Sequence, residues 1–121
     1  PSSTLTLVEE KITNETKKTL YLVLRPKGMA DEAIEKINSE AEKRLAKFIE
    51  QITPELKNMK FDNQEEALKC LLLKQMIKIL DDMSKEKMML LSEVDKKLVF
   101  DILSSISTML TAFKSIEEFN S

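Results

Sequence analysis

The stretch 67–80, ALKCLLLKQMIKIL, decides the fold class of this chain. Ten of its fourteen residues are Ala, Cys, Leu, Ile or Met. At about 100° per residue, these side chains cover well over half of a helix surface. They form two neighbouring stripes, which consist of Leu68, Leu72, Met76, Ile79 and Met83 and of Leu73, Ile77 and Leu80. The narrow polar side consists of Lys74, Gln75, Lys78, Asp81 and Asp82. A helix with so little polar surface must be covered by several neighbours, so we expect it at the centre of a helical domain.

The composition of the whole chain also predicts helices. Its 121 residues include one Gly and three Pro, which leaves little material for tight turns or strand corners. Leu, Lys, Glu, Ala and Met, the residues that suit helices best, are plentiful. Because a chain of this length normally forms one domain, residues 1–121 are expected to fold as a single helical domain.

Hydrophobic periodicity places three more helices around the central one. The four predicted helices cover residues 6–25, 29–52, 62–82 and 92–118. Short to medium connections between helices of this length are typical of a bundle. We therefore expect an all-α fold, in the form of an antiparallel four-helix bundle.

Capping patterns and a proline mark the predicted helix ends. Thr6 to Glu9, Asp62 to Glu65 and Ser92 to Asp95 each pair a capping side chain with an acidic residue three positions later. The Thr53-Pro54 pair is expected to end the second helix, because proline disfavours a helical residue before it.

The N-terminal segment has a β alternative. TLYLVL at 19–24 is rich in β-branched and aromatic residues and could pair with TLTLV at 4–8 in a hairpin. A helix is favoured, because the residues between the two runs contain no Gly and a lone hairpin is marginally stable.

The last predicted helix has an unusual polar side. Its apolar seam follows a 3,4 alternation through Val99, Ile102, Ile106, Met109, Phe113 and Ile116. Away from the seam the residues are small and uncharged, namely Ser104, Ser105, Thr108, Thr111, Ala112 and Ser115. Small residues at four-residue spacing allow another backbone to approach closely, so this side is predicted to bind a second copy or another protein. The same pattern would arise if neighbouring helices of the bundle covered this side.

A methionine cluster lies between the third and fourth helices, and it consists of Met83, Met88, Met89, Leu90 and Leu91. Methionine is flexible and adapts to varied apolar ligands, so these residues could form the mouth of an apolar ligand site. The simpler interpretation is that they fill one end of the bundle.

Missing residue types exclude most catalytic chemistry. The chain contains no His, one Cys and one Gly. Histidine-dependent nucleophile arrangements, histidine or cysteine zinc sites and glycine-rich phosphate loops are therefore excluded. Adjacent carboxylates, such as Glu65 and Glu66, point about 100° apart on a helix and do not form a metal pair. We expect no enzyme activity, no metal and no cofactor.

The charge and hydropathy of the chain limit the kinds of partner and the cellular compartment that we expect. The net charge of −2 is spread without a basic block, so a nucleic-acid partner is not expected. No run approaches about 18 apolar residues, so no membrane span is predicted. The single Cys70 cannot form an intrachain disulfide, which favours a cytoplasmic protein, or a secreted one if a signal peptide has been removed.

Taken together, these patterns predict a non-enzymatic interaction module, such as an adaptor, a regulator or a small chaperone-like subunit. It would act through the Ser/Thr side of the C-terminal helix, as a homodimer or with another protein. The alternative is a carrier of an apolar ligand, such as a lipid acyl chain, held between the helices.

Overall fold

The computed structural model describes residues 3–56 and 64–105, which form four α-helices. The helices are α1 Ser3–Leu24, α2 Asp31–Leu56, α3 Gln64–Lys85 and α4 Glu93–Ser105. A 3-10 turn, Arg25–Lys27, joins α1 to α2. These two ranges contain no strand, so the prediction of an all-α fold is confirmed and residues 4–24 form a helix rather than a hairpin. The antiparallel order of the helices stays a prediction.

Helices α1 and α3 share the centre of the fold, because each of them contacts all the other helices. On α3, the predicted main stripe is buried along its whole length from Leu68 to Met83. In the second stripe Leu73 and Leu80 are buried, while Ile77 is only partly covered. The central position predicted for α3 is therefore confirmed, with α1 beside it.

The buried residues of α1 recur at three- and four-residue spacing and form one face. Val8, Ile12, Thr16, Thr19 and Val23 are all buried, and Leu20 and Leu24 widen the same face. The two threonines satisfy their hydroxyls within the helix, since Thr16 Oγ1 donates to the Ile12 carbonyl at 2.7 Å and Thr19 Oγ1 donates to the Glu15 carbonyl at 2.8 Å. Polar residues therefore fit into this face without unpaired donors.

Three predicted helix ends differ from the structure by three residues or more. Helix α1 begins at Ser3, so the Thr6 to Glu9 pattern lies inside the helix and does not cap it. Helix α2 continues through Pro54 to Leu56. Pro54 lacks the N–H that would bond to the Glu50 carbonyl, so the helix continues past it with one hydrogen bond fewer. Helix α3 also extends past the predicted end, to Lys85.

The predicted seam of α4 is shifted by one position. Val99 and Leu103 are buried, whereas Ile102 is half-buried. The other seam residues predicted at Ile106, Met109, Phe113 and Ile116, and the start of the capping pattern at Asp62, lie outside the described residues.

Hydrogen bonds fix the turn between α1 and α2 and the start of the connection between α3 and α4. Gly28 adopts the left-handed region at φ 87°, and its N–H donates to the Arg25 carbonyl at 2.9 Å, which ends the 3-10 turn. Before α4, the Arg44 guanidinium of α2 holds Glu86 through two hydrogen bonds of 3.0 and 2.7 Å. The segment 86–92 is thus tied to α2 where it leaves α3.

Candidate functional site

An exposed apolar surface lies at the beginning of α4. Val94 is 78% exposed and Leu98 is 47% exposed, and Leu90 in the preceding connection is 76% exposed. Val94 and Leu98 are four residues apart, so their side chains are neighbours on the helix. We call Leu90, Val94, Leu98, Ser104 and Ser105 the α4 surface.

The helical repeat explains why this surface faces away from the core. Val99 and Leu103 of α4 point inward and are fully buried. At about 100° per residue, Val94, Leu98 and Ser105 lie within about 40° of one another on the opposite side. The described helices cover the Val99 side of α4, so its Val94 side is uncovered within the described part of the chain.

Ser104 and Ser105 lie where the sequence predicts them, on the exposed side of α4. The hydroxyl of Ser105 donates to the Ile102 carbonyl at 2.9 Å, so its hydrogen is already used within the helix. Ser105 therefore contributes small size rather than a free donor. The other predicted binding residues, Thr108, Thr111, Ala112 and Ser115, lie outside the described residues.

A reciprocal capping box holds the first turn of α4. The Asp95 N–H donates to Ser92 Oγ at 3.2 Å, and the Ser92 N–H donates to Asp95 Oδ2 at 3.3 Å. This confirms the predicted Ser92 to Asp95 cap. The ammonium of Lys27, from the turn after α1, pairs with the same carboxylate. Lys27 and the bonds from Ser92 hold the pKa of Asp95 below its usual range. The start of α4 is therefore attached to the turn between α1 and α2.

Charged residues flank the apolar part of the α4 surface. Glu93, Lys97 and Asp101 are exposed and follow one another at four-residue spacing, so they form a row beside Val94 and Leu98. Glu93 accepts a bond from Lys96 at 3.3 Å. Neither Lys97 nor Asp101 has an ion-pair partner within residues 3–56 and 64–105.

The residues predicted to form the ligand mouth differ in their burial. Met83 and Met89 are buried in the core, whereas Met88 and Leu90 are exposed and Leu91 is half-buried. The Met88 sulfur lies 3.5 Å from Nη2 of Arg44 and so borders the Arg44–Glu86 pair. The two buried methionines fit the interpretation in which they fill the bundle end.

An open groove of about 540 Å³ lies at the end of α1, lined by Lys18, Tyr21, Leu22, Arg25 and Pro26. The Arg25 guanidinium in this groove already has partners. It donates to Asp31 through Nε and Nη2 at 2.9 Å each, and it stacks 4.3 Å from the centre of the Tyr21 ring. The Tyr21 hydroxyl bonds Glu35, and this bond raises the pKa of Tyr21 to about 12. The polar groups here stabilise the α1–α2 junction.

Titratable groups elsewhere form no reactive constellation in the described part of the chain. No group of three or more potential metal ligands is found among the described residues. Cys70, whose burial the sequence leaves open, is buried, and burial raises its thiol pKa to about 11. A thiol with such a raised pKa is a poor nucleophile at neutral pH.

The helices within the described ranges are too short or too polar to cross a membrane.

Sequence reasoning missed the apolar part of the α4 surface. Val94 and Leu98 both fall outside the predicted seam, and their four-residue spacing is the signal that points to a second apolar face. The pattern of small residues begins at Ser104 and therefore indicates only that end of the surface.

Comparison of the chain with family models, with curated proteins and with solved structures finds no match.

Proposed function

We propose that this protein is a non-enzymatic interaction module that binds a second copy or another protein through the α4 surface. The observation that carries this proposal is the exposure of Val94 and Leu98 on a helix whose other side is already packed. Single exposed apolar residues are normal on proteins, but neighbouring ones that form a patch are typical of binding sites.

The neighbouring residues on α4 also suit binding. Ser104 and Ser105 are small and exposed, so a partner backbone can approach that end of the surface closely. The capping box and Lys27 fix the start of the helix, which lowers the entropy lost when a partner binds.

Two other large exposed apolar residues provide a contrast. Leu7 is 57% exposed and Leu22 is 63% exposed, and both lie on α1. They are separated by fifteen residues, about 22 Å along a helix, and so do not touch each other. They serve as matched controls for Val94 and Leu98.

The proposal is tested with the double variant Val94→Glu/Leu98→Glu and the control Leu7→Glu/Leu22→Glu. Sedimentation velocity over a range of concentrations reports the mass, and circular dichroism checks that both variants remain helical. We expect the parent and the control to associate as concentration rises, and the α4 variant to stay monomeric.

A heterologous partner is tested separately with a photo-crosslinking residue at position 98 or, as control, at position 7. Specific protein adducts at position 98 alone would support binding to another protein. The proposal is refuted if the α4 variant associates like the parent, or if a monomeric parent gives no adduct at position 98.

The carrier alternative has weaker support, because buried Met83 and Met89 close the end at which its mouth was predicted. Stoichiometric binding of a fluorescent fatty-acid analogue, lost on Met88→Glu, would favour the carrier over the interaction module.

A further inference from the structure

The charged row beside the α4 surface has a sign pattern that is complementary to itself. Glu93, Lys97 and Asp101 alternate negative, positive and negative along one line of the helix. The apolar pair Val94 and Leu98 forms the adjacent line. Such a pairing of an apolar line with a charged flank resembles the seam and flank of paired helices.

The symmetry of a dimer determines whether the charged rows of its two copies face each other. When two identical helices pack antiparallel, their two-fold axis is perpendicular to the plane of the two helix axes. The axis brings each flank of one helix against the same flank of the other, in reversed order. The row Glu93–Lys97–Asp101 then faces its own copy, whereas in a parallel pair it would not.

A two-fold axis at the level of Val99 gives the best match of charges. Lys97 of each copy then lies opposite Asp101 of the other, which forms two equivalent ion pairs. In the same register Val94 of one copy lies at the level of Ser104 of the other. Lys97 and Asp101 have no ion-pair partner within the described chain, so both are free to pair in this way.

We infer that the partner of the α4 surface is a second copy of this chain, packed with the two α4 helices antiparallel and with reciprocal Lys97–Asp101 pairs. The inference rests on the proposed function and deepens it by naming the occupant. The apolar part of the α4 surface that the structure describes consists of three side chains, so we expect a weak and reversible association.

Charge reversal tests the pairing. Lys97→Glu alone and Asp101→Lys alone each create two like-charge contacts in a homodimer, so each is expected to weaken self-association roughly tenfold. The combined variant Lys97→Glu/Asp101→Lys restores both opposite-charge pairs and is expected to associate like the parent.

An equimolar mixture of the two single variants is the sharpest test. One copy then carries acids at positions 97 and 101 and the other carries lysines, so the mixed dimer has two opposite-charge pairs. We expect native mass spectrometry to show a mixed dimer and little of either homodimer. Lys78→Glu and Glu50→Lys, which reverse exposed charges away from α4, serve as controls and should associate like the parent.

The inference is overturned if the single reversals leave association unchanged, if neither the combined variant nor the mixture restores it, or if the parent is monomeric at every concentration. The proposed function survives these results when Val94→Glu/Leu98→Glu still abolishes association, or when position 98 crosslinks to another protein. The two failures are therefore distinguishable.

Discussion

Asn38 is a primary amide within the apolar core, and its removal should stabilise the protein. The residue is 3% exposed, and neither Nδ2 nor Oδ1 has a hydrogen-bond partner among residues 3–56 and 64–105. The other buried polar side chains, Thr16 and Thr19, donate their hydroxyls to carbonyls of their own helix. Asn38 is therefore the buried amide whose desolvation nothing in the described chain offsets.

The effect of Asn38→Ala follows from three contributions. Relief of two unsatisfied polar atoms gains about 2 kcal/mol, when each atom is counted at the low end of the usual range. The higher helix propensity of Ala adds roughly 0.5 kcal/mol, and the space left by the amide costs about 1 kcal/mol. The net expectation is a free energy of unfolding larger by about 1.5 kcal/mol, or a melting temperature higher by roughly 6 °C for a chain of this length.

Urea denaturation followed by circular dichroism measures this change. Ser39→Ala is the matched control, because Ser39 is the exposed neighbour on α2 and reports helix propensity without a change in burial. Leu45→Ala, at a fully buried apolar position of the same helix, should instead destabilise by about 3 kcal/mol. If Asn38→Ala lowers the free energy of unfolding by 1 kcal/mol or more, on the order of an ordinary core truncation, the amide has partners and the reasoning is wrong.

Two further predictions concern titratable groups. Because Lys27 and Ser92 lower the pKa of Asp95 from 3.8, its contribution to stability is complete above that value and is lost as pH falls below it. Urea titrations should therefore show a difference between the parent and Asp95→Asn that is constant from pH 5 to 7 and shrinks below about pH 4. Cys70, with its pKa raised from 9.0 to about 11, should carry about a hundredfold less thiolate at pH 8 than in the unfolded chain. Iodoacetamide should accordingly label it at least that much more slowly in native buffer than in urea, and equal rates would contradict its burial.

The apolar stripes of α3 could be predicted from the sequence because they depend on local spacing. Leu68, Leu72 and Met76 share a face in any α-helix, and a helix with so few polar residues must be covered. The cap at Ser92 and Asp95 is equally local, since both partners lie within four residues. These are the features for which prediction and structure agree.

Helix ends that depend on competing local preferences were harder to predict. Pro54 reads as a stop, yet α2 continues for two more residues. A proline removes one hydrogen bond, and the Thr53 hydroxyl donates to the Ile49 carbonyl at 2.6 Å in the same turn. Sequence rules give the direction of such preferences but not which one prevails.

For the candidate site, the sequence indicated the helix and the serine end of the α4 surface. It indicated that Ser104 and Ser105 face away from the core, and both are exposed. It did not indicate that Val94 and Leu98 are exposed as well, because the identity of an apolar residue does not show whether a neighbouring helix covers it. The partner of this surface stays a prediction.

The sequence by itself determined that this chain is helical, that the stripe of α3 from Leu68 to Met83 is buried, and that α4 begins with a reciprocal cap. These properties follow from backbone geometry and from side chains a few residues apart. Tertiary structure alone decided that Leu103 rather than Ile102 is fully buried, that Asn38 has no hydrogen-bond partner within the described residues, and that Val94 and Leu98 face solvent. Each of these outcomes depends on which side of a helix its neighbours cover, and that is set by packing between residues far apart in the chain.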